Sequence, residues 1–198
     1  MYPDSLKQLI ESFKFLPGIG EKSAERMAFS VLDFDDDQIN DFATSIIEAK
    51  KNIHPCKICN VLTDMNECMI CSDKNRNSKK LCVVDDSKSV FLFEKLKIFD
   101  GYYHVLDGLI NPLDGVNPED IGIDKLLERV QNNSFEEIIF AFSPTIEGET
   151  TALYIDRVLG DSNIKTTKIA SGVPMGADME YMDVLTLERA LDDRKEVS

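Results

Sequence analysis

The sequence predicts an α/β protein in which parallel strands are covered by helices, preceded by a helical segment and a small cysteine-rich module. Three observations carry this. Beyond residue 80, apolar strand-like runs alternate with amphipathic helix-like runs, the texture of a sheet whose strands are joined by helical crossovers. Before residue 52, apolar residues recur at helical spacing in three stretches separated by Pro, Gly or Asp. Between these regions stand two C-x-x-C pairs, Cys56-Lys57-Ile58-Cys59 and Cys68-Met69-Ile70-Cys71. The chain therefore divides into a helical domain over 1–54, a four-cysteine finger over 55–78, a sheet domain over 79–172, and a C-terminal loop and helix over 173–198.

Composition sets the outer limits. With 198 residues and 43% hydrophobic content, the chain can bury one good core and a small satellite. No apolar run approaches the roughly 18 residues of a membrane span, and no repeat points to a solenoid. The formal net charge of −14 repels nucleic acid overall, but its distribution is uneven. Residues 1–55 carry 6 basic and 10 acidic groups, residues 56–80 carry 5 and 3, and the remainder carry 11 and 23. A nucleic-acid contact, if the chain makes one, must come from a local patch ahead of the sheet domain.

Leu6, Leu9, Ile10 and Phe13 follow the spacing of one helix face, so Ser5 to about Phe15 is a helix that stops before Pro17. Leu16-Pro17-Gly18-Ile19-Gly20 then turns tightly, with both glycines free to take positive φ and the isoleucine turned inward. A second helix follows, with Ala24, Met27, Ala28, Val31 and Leu32 on one face. Two short helices joined in this way resemble a helix-hairpin-helix motif. Bare backbone N–H groups at the glycines and at the new helix start can donate to phosphate oxygens without reading base sequence. Lys22 and Arg26 lie one turn apart on the same face and Lys14 just before the turn, while Glu21 and Glu25 partly cancel the field. The plain alternative is an ordinary helical pair with solvated charges. A third helix, from about Asp37 to Lys51, puts Ile39, Phe42, Ala43, Ile46 and Ile47 on one face, with Asp35 to Asp37 suited to its N-terminus.

Two C-x-x-C pairs eight residues apart can close a tetrahedral shell of four thiolates, Cys56, Cys59, Cys68 and Cys71, around one cation. Zinc suits four soft ligands with no open position, so the expected role is structural. Two disulfides or four unrelated thiols are the alternatives. Met1-Tyr2-Pro3-Asp4 is neither basic nor apolar, so the expectation is a reducing cytoplasm, where disulfides are rare. His54 lies nearby but is not needed as a ligand. Residues 60–67 and 72–80 are mostly polar and cannot form a core alone. Cys82, in Leu81-Cys82-Val83-Val84, reads as a buried strand residue.

Leu81 to Asp85, Tyr102 to Leu106, Glu137 to Phe142 (the central strand) and Ile164 to Ala170 are the expected strands. The expected helices are Ser87 to Leu96, Ile123 to Val130, Thr150 to Leu159 and Asp183 to Leu191. In such sheets the functional edge is at the carboxyl ends of the strands, which here carry Asp85-Asp86 and Ser143-Pro144-Thr145-Ile146-Glu147-Gly148-Glu149. Carboxylates there can hold magnesium. Gly108 to Val116 reads as a loop, His104 as a structural strand residue, and Gly172-Val173-Pro174-Met175-Gly176 as a bent loop without the lysine of a P-loop.

This layout resembles the Toprim fold of topoisomerases, primases and some nucleases, whose members hold metal with a glutamate after the first strand and an Asp-x-Asp after a later one. Here Asp85 and Ser143-Pro144-Thr145 stand in those places, so the resemblance implies the fold without its catalytic charge. In order, the Leu-Pro-Gly-Ile-Gly hairpin, the four cysteines, the degenerate Toprim domain and the Gly-Val-Pro-x-Gly tail resemble the bacterial recombination protein family RecR over essentially the whole chain. Asn111-Pro112-Leu113-Asp114-Gly115 and Pro144 to Glu149 add to the likeness. The resemblance implies a non-enzymatic mediator of recombinational DNA repair. It implies a tetrameric ring able to encircle DNA, acting with RecO, and in some settings RecF, to load RecA onto single strands coated by single-strand binding protein. It further implies that Gly18, Gly20, Lys22 and Arg26 face DNA, that Cys56, Cys59, Cys68 and Cys71 hold zinc, and that Glu147 meets RecO. Asp85, where many members have glutamate, and Ser143, where asparagine is common, are departures. The rival reading is a magnesium-dependent Toprim nuclease or primase-like enzyme using Asp85, Asp86, Glu147 and Glu149. A third is a zinc-stabilised interaction module without a DNA role.

Overall fold

The structure is a computed structural model that describes residues 2–160, 162–170 and 172–194. The chain folds as two compact units, Met1–Ile53 and His54–Ser198.

In the first unit, α1 (Asp4–Lys14) and α2 (Glu21–Leu32) pack as a pair through Leu6, Ile10, Ala24 and Ala28, with Leu9, Phe13 and Ile19 at the margin. The two alanines present no bulk, which allows the helices to approach closely. Met27, Val31 and Leu32, expected on the same face, stay outside this small core, and Leu32 is largely exposed. Helix α3 (Asp36–Asn52) begins at a reciprocal cap: Gln38 N–H donates to Asp35 Oδ1 at 2.8 Å and Asp35 N–H to Gln38 Oε1 at 3.1 Å. Lys50 and Lys51 close it where the helix dipole favours cations. The periodicity predicts a buried face, yet none of its residues is buried; Phe42, Ile46 and Ile47 lie open to solvent.

The second unit is built on four parallel strands, β3 (Asn77–Val84), β4 (Gly101–Val105), β5 (Glu137–Phe140) and β6 (Lys165–Lys168), in the order β4-β3-β5-β6. Alternation along β3 sends Leu81 and Val83 to one core and Cys82 and Val84 to the other. The first core is covered by α6 (Ile123–Gln131) through Ile123, Leu126 and Val130, and by α7 (Ile146–Leu159) through Ile155. The second contains Val90 and, at its margin, Phe93 of α5 (Ser87–Leu96), and it also takes in Cys56, Cys59, Val61 and Cys68. The cysteine module thus has no core of its own: it borrows one face of the sheet. Its short hairpin, β1 (His54–Pro55) with β2 (Leu62–Thr63), and the single-turn α4 (Met69–Ser72) carry the sulfurs to that face. Arg76 locks the same region, forking onto Glu94 at 2.9 and 2.7 Å and donating to Gly101 O at 2.7 Å.

Strand β6 (Lys165–Lys168) is shorter than the expected Ile164 to Ala170, and three other boundaries differ for reasons the contacts show. Strand β3 starts at Asn77, because the polar residues before Leu81 extend towards the module. Strand β5 ends at Phe140, and α7 begins at Ile146 rather than Thr150, because Thr145 Oγ1 accepts from Gly148 N–H at 3.2 Å and caps it. The tail ends in α8 (Val184–Asp192), capped by Asp183; the last four residues of the segment expected over 173–198 lie outside the described residues.

Candidate nucleic-acid interface and metal centre

Gly18 sits at φ +80° in the α1–α2 turn, where an L side chain would be strained. Gly20 does not follow the expectation of positive φ. It is extended at φ −88°, ψ 174°, and serves as the N-cap of α2 without any side-chain cap. A methyl group at either glycine would meet no atom within 4 Å, so backbone N–H groups at the start of α2 are open to an incoming acceptor. Lys22 and Arg26 are exposed and make no ion pair among the described residues. Lys14, by contrast, pairs with Glu11 at 2.9 Å and Glu21 at 2.8 Å. Hydrogen bonds to those two carboxylates hold its ammonium above its ordinary value. The cation set offered by the hairpin is therefore Lys22 and Arg26, without Lys14.

The four cysteines converge: the Sγ atoms of Cys56, Cys59, Cys68 and Cys71 all lie within 4.8 Å of one another, and Cys59 and Cys68 are 3.4 Å apart. No disulfide joins any of them. A tetrahedral tetrathiolate shell with metal–sulfur bonds of about 2.3 Å has sulfurs about 3.8 Å apart, so the spacing fits a single ion. The surrounding backbone is arranged accordingly. Asn60 takes φ +64° after the first pair, Asn60 N–H donates to Cys56 O at 2.9 Å, and Cys68 N–H points at Cys56 Sγ at 3.4 Å. Donation from Cys59 and Cys71 draws the Cys68 thiol far down, and the same contacts push Cys59 up. The knuckle also seals an open sheet edge: Val105 N–H donates to Cys59 O at 2.8 Å and Asn60 Nδ2 to Val105 O at 3.1 Å. Among the described residues these four cysteines are the one group of three or more metal-ligating side chains within reach of one ion.

At the carboxyl edge of the sheet the acids are dispersed among other tasks. Asp86 caps α5 by accepting from Ser89 N–H at 2.8 Å, the bond that chiefly holds its carboxyl low. Asp85 is met only distantly by Ser143 Oγ, at 3.5 Å. Glu147 and Glu149 fall in the first turn of α7, not in a loop; Glu149 pairs with Lys168 at 3.0 Å. Between them Gly148 is obligatory, since a Cβ there would lie 2.3 Å from Ser143 O.

Comparison with known families follows this anatomy. Residues 6–50 match the family described as RecR, helix-hairpin-helix, residues 79–170 match the Toprim domain, and residues 172–195 match the family described as RecR, C-terminal. The chain belongs to the RecR family. The RecR-family domains support a role in recombinational repair, in a family of recombination mediators rather than enzymes, and imply contact with DNA and with recombination machinery. The Toprim domain is also found in some enzymes. No helix among the described residues is long and apolar enough to cross a membrane.

Within this RecR-family chain, the expected DNA-facing residues Gly18, Gly20, Lys22 and Arg26 sit together at one hairpin in the first unit, and the four cysteines meet in the second. Glu147 stands half-buried at the start of α7; hydrogen bonds, first from its own backbone N–H and then from Thr145, hold its carboxyl low. Two residues that build the site escaped sequence reasoning. Asn60 offered one signal, an asparagine directly after C-x-x-C, where αL backbone is needed. Arg129, which donates to Tyr103 O on the outer edge of β4, had none, because its contact spans 26 residues.

Proposed function

We propose that this protein is a non-enzymatic recombination mediator that grips DNA through the α1–α2 hairpin and helps load RecA on single-stranded DNA, acting with RecO and in some settings with RecF. Gly18 and Gly20 present backbone N–H groups to phosphates, Lys22 and Arg26 supply the charge, and Glu147 is the point of contact with RecO. Zinc, held by Cys56, Cys59, Cys68 and Cys71, keeps the knuckle folded on the sheet. The working form is a tetrameric ring in the cytoplasm; the uncovered apolar face of α3 supports self-association. One observation carries the DNA contact: the uncapped start of α2 stands in open space beside two exposed cations that have no carboxylate partner among the described residues. The rival magnesium enzyme finds no support in the dispersal of Asp85, Asp86, Glu147 and Glu149.

The test is fluorescence anisotropy of labelled single- and double-stranded DNA with the wild type and Lys22→Ala/Arg26→Ala. Loss of two phosphate contacts flattens the dependence of log affinity on log salt by about 1.4 on single strands. Unchanged binding in that variant would sink the hairpin reading. Cleavage of the same DNA with magnesium or manganese, abolished by Glu147→Gln, would establish the enzyme instead.

A further inference from the structure

A second cluster of cations lies in the other unit, in a cleft of about 570 Å³ between the cysteine knuckle and α6. Lys57 enters it from the knuckle, Lys125 and Arg129 from successive turns of α6, and none of the three makes an ion pair among the described residues. Arg129 is half-buried and prepositioned: it donates to Tyr103 O and lies over the Phe135 ring, 5.9 Å from its centre. An arginine held this way without a carboxylate leaves its remaining N–H groups for an outside anion. Two exposed acids share the lining, Asp107, which accepts from Asn60 Nδ2 at 2.7 Å, and Glu128, and both offset part of the field of the three cations.

At the back of the cleft His104 is 97% buried, being 3% exposed. Its Nδ1 faces Arg129 Nη1 at 3.4 Å; a guanidinium only donates, so the imidazole proton sits on Nε2. Among the described residues no acceptor meets Nε2–H, and the His104 side chain lines the cleft. Burial, helped by Arg129 and Lys125, pushes the ring down to about 3 and keeps it a neutral donor at pH 7. Pro55 and Ile58, exposed on either side of Lys57, add apolar surface to the lining. A free phosphate ion has no use for that surface, whereas the sugar of a nucleotide can rest on it while its phosphate meets the cations.

We propose that this cleft is a second nucleic-acid site, taking one or two phosphodiesters of a DNA strand on Lys57, Lys125 and Arg129 with the adjoining sugar against Pro55 and Ile58. The proposal rests on the DNA-binding reading of the hairpin. Lys57 and Lys125 are exposed and carry no structural bond, so Lys57→Ala/Lys125→Ala tests it without disturbing the fold; metal content and melting temperature should match the wild type.

Binding of a fluorescein-labelled oligothymidylate is followed across a salt series for the wild type, this variant and Lys22→Ala/Arg26→Ala. Two lost phosphate contacts lower the salt slope by about 1.4 and, near 0.1 M salt, weaken binding roughly 10- to 25-fold. Loss with the hairpin variant but not with the cleft variant overturns the cleft while leaving the hairpin intact. Loss with neither overturns both. Inorganic phosphate at constant ionic strength separates the sources: competition that vanishes in the cleft variant while DNA affinity stays at the wild-type value means a free-phosphate site and refutes the proposal.

Discussion

Stripping the metal from the knuckle should unfold more than the knuckle. The second core closes only because Cys56, Cys59, Val61 and Cys68 lie on Val84, Val90, Tyr103 and Val105, each 5% exposed or less. If four protonated thiols replace a clamped ion, the loops between them, mostly polar, have nothing else to hold them. Partial uncovering of four such side chains costs about 1 kcal/mol each, and exposing Val61 about 1.5. The edge bonds from Val105 to Cys59 and Asn60 contribute about 1 kcal/mol more in total. Roughly 6.5 kcal/mol is comparable to the whole stability of an ordinary domain, and at about 2–4 °C per kcal/mol it lowers the melting temperature by about 13–26 °C. The assay is calorimetry before and after chelation under reducing conditions, with metal content measured on the same samples and Cys59→Ser as the genetic counterpart. Hydrogen exchange adds locality: the Val105 amide, bonded to Cys59 O, loses protection before amides of the opposite core around Leu81 and Ile138. A metal-free protein melting within about 3 °C of the loaded one refutes the reasoning.

Two further outcomes follow from single residues. At Gly18, φ +80° makes Gly18→Ala cost about 1–2 kcal/mol of stability in the first unit, whereas Gly20→Ala, at an extended N-cap in open space, costs under about 1. Both should weaken DNA binding in anisotropy; unchanged affinity in Gly20→Ala, with its methyl group beside the α2 N–H groups, contradicts close backbone approach. His104 gives a pH signature. Its folded value of about 3 lies below the unfolded value near 6.5, so its contribution is complete above pH 6.5 and is lost as pH falls, at up to about 1.4 kcal/mol per pH unit. Urea unfolding of wild type and His104→Gln between pH 7 and 4 should show a shallower slope in the variant; equal slopes contradict a neutral buried ring.

What could be read without coordinates was whatever depended on near neighbours in the chain. Helical spacing located α1, α2 and α3, the last without any buried face, and strand-like apolar runs located β3 and β5 to within a few residues, because there propensity and burial agree. The four cysteines were legible because metal chemistry dictates their spacing. The start of α7 was not: the helix was expected from Thr150, yet Thr145 caps it at Ile146 and Gly148 is demanded by Ser143 O. Nor was the loss of Lys14 from the cation set, since Glu11 and Glu21 both reach it only once the turn has folded. The periodicity of α3 correctly predicted a helix and an apolar face but could not say what, if anything, lies against that face.

The charge of −14 becomes intelligible when the cations are sorted by partner. Lysines such as Lys14, Lys79 and Lys168 lie against carboxylates and cancel locally, so they add little outward field. Among the described residues, Lys22 and Arg26 at the hairpin and Lys57, Lys125 and Arg129 at the cleft do not. A polyanion approaching this chain is repelled from most of its surface and finds attraction at two small places, each offering two or three contacts. Two contacts release too few counterions to hold DNA at physiological salt on their own. Linking several such points in one assembly converts each later contact into an intramolecular step at millimolar effective concentration, and the overall grip then rises by orders of magnitude without any new residue. On the DNA-binding reading proposed above, an acidic body with sparse cationic points favours DNA held by many copies at once over DNA held by one.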